Sequence, residues 1–173
     1  MITNEENERI RGWFTGRVPQ EWQTAPVEVS VDREEVVVQL SPADVDLPDG
    51  TAEAEVAEAR AGRTRGFRED TRGVRMTIAD EAERRFGRKV SWQVRVGDRT
   101  ELFTHVAAPV MTRLRQPQRR VLDTLVDAGV ARSRSEALVW AVRLVGQHAD
   151  EWLGELRQAM QSVEEVRARG PQL

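Results

Sequence analysis

The sequence contains no cysteine and no tyrosine. Without cysteine there are no disulfides, thiolate metal sites or cysteine nucleophiles. The histidines, His105 and His148, lie far apart without metal-ligand spacing and read as structural residues. Lysine occurs once, against 25 arginines, a bias that reads as high genomic GC content rather than function. No apolar run approaches the ~20 residues of a membrane-spanning helix. The opening "MITNEENERI" is acidic and polar, the opposite of a signal peptide. The expectation is a soluble, cytoplasmic protein with no membrane association. Also missing are a P-loop, a dinucleotide fingerprint, a G-x-S-x-G elbow and an H-E-x-x-H pair. The carboxylates of "DREE" and "ADEAE" are scattered among arginines and read as solvated faces. The chain therefore reads as non-enzymatic, with no cofactor and no metal.

What is present fits a folded protein. Its 173 residues have room for one medium domain or two small ones, and 39% hydrophobic content supports a core. The net charge of −3 argues against indiscriminate nucleic-acid binding, but the charge is unevenly spread. Residues 1–104 carry 16 basic and 21 acidic side chains, whereas residues 105–173 carry 10 and 8. Within the second part, "VMTRLRQPQRR" (110–120) holds four arginines and no acid. Such a stripe can turn one face of an acidic protein toward a polyanion.

The first hundred residues read as a small α+β domain of order α-β-β-α-β-β. In "NEENERIRGWFTGRV", Ile10, Trp13, Phe14 and Val18 recur at helical spacing and Pro19 lies at the end. "VEVSV" (27–31) and "EVVVQL" (35–40) form a predicted hairpin around "DRE", and "SPADVDLPDG" reads as a loop. One helical stretch is predicted from Thr51 to Phe86, weakened by Gly62, Gly66 and Gly73. Its stripe is Val74, Ile78, Ala82 and Phe86. "VSWQVRV" alternates Val90, Trp92, Val94 and Val96 on one face, and "ELFTHV" follows as another strand. Arg65, Arg68, Arg72 and Arg75 share a helical face, read as exposed and salt-bridged to Glu69 and Asp70, with a second nucleic-acid surface as the minority reading. Trp13, Trp22, Trp92, Trp140 and Trp152 read as core or interface anchors rather than base-stacking platforms.

After Pro109 the character changes. "VMTRL" is a short extended run, and "PQRRVLDTLVDAG" is a helix with Pro117 near its start and Gly129 past its end. Ser133 and Glu136 fit a capping box, in which the Ser oxygen takes the N3 amide and the Glu returns to the cap amide. Leu138, Val142, Val145, Ala149, Trp152, Leu156, Ala159, Val163 and Val166 then alternate in steps of four and three, predicting one long helix packed along another.

This order of short strand, helix, Gly turn and capped helix resembles the ribbon-helix-helix family of MetJ, Arc and CopG-like repressors. The likeness spans residues 109–145 and rests on Arg113–Leu114, Leu122–Asp123, Gly129 and "SRSEAL". The expected architecture is α+β: a small N-terminal α+β domain (1–106) of unassigned role, then a C-terminal ribbon-helix-helix (107–173) with an extended second helix. A lone strand must pair, and in this family it pairs with its twofold mate to form a ribbon that enters the major groove. The resemblance implies a bacterial homodimeric transcriptional regulator that binds double-stranded DNA. Met111, Arg113 and Arg115 would face the bases, with Arg113 at the family's base-reading position. Arg132, Ser133, Arg134 and Ser135 would take a phosphate at the second helix start, where free amides and the dipole favour an anion. Val110, Thr112, Leu114, Leu122, Leu125, Leu138, Val142, Val145 and Trp152 would form the dimer interface.

Two other readings stay open. In one, the same fold only dimerises the chain and the N-terminal domain binds a protein partner, a reading favoured by the acidic total charge and outward Met111. In the other, the α-β-β-α-β order is loosely similar to KH-like RNA-binding domains, although no GXXG loop is present to clamp a backbone.

Overall fold

The computed structural model describes residues 3–169 and divides into two units, the first ending at Ala108 and the second beginning at Pro109. The first unit is α+β. Helix α1 (Asn4–Arg17) starts at Thr3, whose Oγ1 accepts the Glu6 amide at 3.2 Å. A 3-10 turn at Gln20–Trp22 leads to strands β1 (Glu28–Val31) and β2 (Glu35–Leu40). The hairpin between them is tied by Asp32, whose Oδ1 accepts the amides of Glu34 and Glu35 at 2.8 and 2.7 Å.

Two helices follow, α2 (Glu53–Asp70) and α3 (Arg72–Phe86), and then strands β3 (Lys89–Val96) and β4 (Arg99–Leu102). The sheet order is β1-β2-β3-β4, with β2 and β3 parallel and both outer pairs antiparallel. The α2–α3 segment is thus the crossover that a parallel pair requires. The core is built from alternating strand residues, Val36, Val38 and Leu40 on β2 and Trp92, Val94 and Val96 on β3. Ile10 and Phe14 of α1 and Ile78 and Ala82 of α3 complete it. The rings of Trp13 and Trp92 meet Phe14 edge to face.

Three expectations change here. The helix from Thr51 to Phe86 is broken at Thr71, whose hydroxyl donates to the Phe67 carbonyl at 2.6 Å. Such back-bonding bends helices, and Gly66 and Gly73 flank the site. Arg75 is buried rather than exposed as expected, while Arg65 pairs with Glu69 as expected. The last strand stops at Leu102 instead of running to Val106.

In the second unit, helices α4 (Gln116–Asp127), α5 (Arg134–His148) and α6 (Asp150–Arg169) follow one another. The predicted long helix is interrupted at Ala149, where φ −122° and ψ 19° leave the helical region. The hydrogen bonds Ala149 N–H to Val145 O and Leu153 N–H to Ala149 O persist, so the interruption is local. Gly146 just before it and Asp150 just after it are both poor interior helix residues. The expected strand at 110–114 is not a strand in the single chain. A strand is defined by its ladder, and these residues have no partner strand among the described residues. Among the described residues, no helix is long and apolar enough to cross a membrane.

Candidate nucleic-acid interface

The local geometry of the second unit starts from the turn between α4 and α5. Gly129 adopts φ +73°, which an L side chain rarely takes. Its amide reaches the Val126 carbonyl at 3.0 Å and the Val130 amide reaches the Leu125 carbonyl at 2.9 Å, the two bonds of a Schellman motif. That turn folds α5 back on α4. Leu122, Ala131 and Ala137 are buried between them, and Leu114, Leu125, Val126 and Leu138 pack partly buried around that centre.

Ser133 caps α5, its Oγ accepting the Glu136 amide at 3.2 Å. Glu136 Oε2 in turn accepts the Arg132 amide at 2.7 Å, one residue before the cap amide the capping-box pattern predicts. The amides of Arg134 and Ser135 find no acceptor among the described residues. They are the open donors a helix N-terminus offers to an anion.

The cations divide into committed and free. Arg134 binds Asp123 through two parallel bonds, Nε to Oδ1 at 2.6 Å and Nη2 to Oδ2 at 2.9 Å. This fork geometry suits arginine and carboxylate. The bonds raise the Arg134 pKa and hold the Asp123 carboxyl below its ordinary range. Arg119 turns back to donate to the Leu114 carbonyl at 2.8 Å. The guanidiniums of Arg113, Arg115, Arg120 and Arg132 are exposed and make no hydrogen bond or ion pair among the described residues.

Of the expected base-contact residues, Met111, Arg113 and Arg115 are all exposed, Met111 at 98%. Of the expected phosphate contacts, Arg132, Ser133 and Ser135 lie at the open helix start, whereas Arg134 is held by Asp123. The expected interface residues split. Leu114, Leu122, Leu125 and Leu138 pack within the chain, while Val110, Thr112, Val142, Val145 and Trp152 stand exposed. The packed four belong to the α4–α5 contact and the residue leading into it, whereas the exposed five have no facing element among the described residues. Sequence reasoning missed the Asp123–Arg134 pair. Its signal was opposite charge on two helices joined by a Gly turn.

The chain is thus of a two-part class, an α+β unit followed by a helical unit with a basic, acid-free approach. It belongs to the Rv1265-like protein family, whose N-terminal domain model matches residues 8–102, and the Mb1296 C-terminal domain model matches residues 115–167. Residues 103–114, which include Arg113, fall between the two matches. Among its relatives are uncharacterized protein Rv1265 of Mycobacterium tuberculosis and uncharacterized protein Mb1296 of Mycobacterium bovis. Each is 56% identical over 161 residues, spanning 93% of this chain and 70% of the relative. No solved structure matches the chain.

Proposed function

We propose that the second unit is one half of a ribbon-helix-helix dimer, and that the chain binds double-stranded DNA as a transcriptional regulator. The observation that carries this reading is the coincidence of free cations with free amides. Arg113, Arg115, Arg120 and Arg132 have no partner among the described residues, and neither do the first two amides of α5. The dimer is supported by an incomplete core. Three buried hydrophobics are too few to hold a folded unit in water. Meanwhile Val110, Val142, Val145 and Trp152 are 56–86% exposed. Apolar surface of that extent marks an interface.

In the dimer, two copies of residues 110–114 pair as an antiparallel ribbon, giving each strand the ladder it lacks alone. Side-chain alternation then turns Val110, Thr112 and Leu114 toward the helices and Met111, Arg113 and Arg115 outward. Arg113 suits bidentate bonding to a guanine edge, and Met111 can contact a thymine methyl. Phosphates sit at the α5 start on the Arg134 and Ser135 amides, with Arg132 and the Ser135 hydroxyl beside them. Asp123 holds the Arg134 guanidinium aside, so Arg134 serves first to lock α5 to α4.

A gel shift on genomic fragments tests the reading. Wild type binds at moderate salt, affinity falls with a log–log salt slope of about −0.9 per phosphate contact, and Arg113→Ala weakens binding. No binding by wild type, or unchanged binding by the variant, contradicts it.

A second reading is favoured by the Asp123–Arg134 pair, which neutralises one expected phosphate ligand. In it the dimer is an interaction module and carries no DNA. Stoichiometric recovery of one protein partner without DNA protection decides for that reading.

A further inference from the structure

The first unit contains a cation that its own fold does not neutralise. Arg75, on α3, is 5% exposed. Burying a guanidinium is costly unless an anion or several good acceptors accompany it. Its Nε donates to Thr71 Oγ1 at 2.9 Å and its Nη2 to the Arg68 carbonyl at 2.7 Å, both neutral acceptors. Its Nη1 finds no acceptor and no carboxylate pairs with it among the described residues. The Phe103 ring centre lies 4.9 Å from its Cζ and that of Trp92 6.0 Å, contacts that ease the burial without cancelling the charge. Two more cations, Arg68 and Arg72, act on Arg75. Burial first, then Arg68 and Arg72, lower the Arg75 pKa to about 10, so it stays protonated at neutral pH.

Arg75 lines a cavity of about 280 Å³ together with Arg68, Arg72, Trp92 and Phe103. Trp92 carries a second unmet donor, an indole Nε1–H that is buried without an acceptor. Arg72 and Arg75 bring guanidinium N–H groups unpaired among the described residues to this cavity, and Arg68 adds a third cation, one of its N–H groups donating to the Phe103 carbonyl at 3.3 Å. The geometry points to an oxyanion site for a small metabolite bearing a single phosphate group, held by Arg68, Arg72 and Arg75.

Phosphate suits this donor set better than carboxylate, because its additional oxygens and second charge can engage three cations at once. Met76 and Ala79 continue the lining along α3 and offer an apolar surface to the rest of the molecule. Farther along the same helix Asp80 and Glu83 line the cavity, with Glu83 already paired to Lys89. These carboxylates repel a second anionic group, so a nucleic-acid backbone does not fit and a singly phosphorylated, otherwise uncharged compound does. The cavity lies wholly within the first unit, and the site stands whatever the second unit binds.

The test is calorimetric titration of the full chain with glucose 6-phosphate, inorganic phosphate and acetate at matched ionic strength, alongside the Trp92 indole N–H resonance, assigned with Trp92→Phe. Glucose 6-phosphate is expected to bind saturably and shift that resonance, and acetate to bind about tenfold more weakly or worse. Arg72→Gln alters an exposed side chain, so it keeps the fold, checked by circular dichroism, and weakens phosphate binding about tenfold. Three results overturn the assignment: no saturable binding of either phosphate compound up to about 10 mM, equal affinity for acetate, or undiminished binding by Arg72→Gln.

Discussion

Arg134 and Asp123 clasp each other across the α4–α5 turn through two bonds of 2.6 and 2.9 Å, at the helix start where an incoming phosphate is expected. The pair orders the turn and occupies a cation at the same time. Replacing the carboxylate by its neutral isostere, Asp123→Asn, removes a negative charge and frees the guanidinium. DNA affinity is expected to rise, and the salt slope to steepen by about 0.9 as Arg134 neutralises one more phosphate. Fluorescence anisotropy across a salt series measures both.

The same pair sets a pH dependence. The ion pair lowers the folded-state pKa of Asp123, so its contribution to stability is complete above the ordinary carboxylate range. It is lost as pH falls through that lowered value. Carboxyl titration by NMR should place Asp123 below an unpaired aspartate, and Arg134→Gln should return it to the ordinary range.

Ser133 holds the start of α5 through one side-chain bond to the Glu136 amide. Ser133→Ala is expected to cost about 1 kcal/mol and to speed hydrogen exchange at Glu136 and Ala137. A Ser133→Asp variant keeps the cap and restores protection. Chemical denaturation and exchange rates distinguish the two.

Much of the first unit is legible in the sequence because its periodicities are simple. Val90, Trp92, Val94 and Val96 alternate, and β3 buries all four; Ile10 and Phe14 repeat at helical spacing and both are fully buried. Arg75 is not legible. Its burial follows from the packing of α3 against Trp92 and Phe103, a tertiary contact that the local pattern of one helix does not encode. Ala149 hides for the opposite reason: the heptad steps continue through it, so the pattern stays intact where the backbone departs. Within the candidate interface, the Ser133–Glu136 signal is explicit in the residues, but Glu136 reaches Arg132 because tertiary packing sets the approach of the chain. The pairing proposed for residues 110–114 involves a second copy of the chain, so no periodicity within one sequence specifies it.

Phe14 is fully buried and meets both Trp13 and Trp92 edge to face. Phe14→Ala should destabilise the first unit by about 3–5 kcal/mol, read by near-ultraviolet circular dichroism in urea. If the second unit carries the dimer, light scattering of the variant below its unfolding midpoint still reports a dimer.

Val142 and Val145 are 64% and 56% exposed on α5. A charge buried in an apolar interface without a partner is costly, so Val142→Glu and Val145→Glu should each shift the chain toward monomer in sedimentation velocity. The DNA complex should weaken in parallel, because neither residue touches DNA in the proposed arrangement.

The most direct measurement uses the absence of cysteine. Antiparallel pairing of residues 110–114 about their middle sets Thr112 opposite its own copy, with Cα atoms about 4.5–5.5 Å apart, a separation a disulfide spans. Thr112→Cys under mild oxidation should yield a cross-linked dimer rapidly and completely, and that dimer should bind DNA. Asp49→Cys, an exposed loop thiol in the first unit, should react far more slowly. A Thr112→Cys chain that stays monomeric, or that cross-links no faster than the Asp49→Cys control, would contradict the paired ribbon and the DNA-binding proposal built on it.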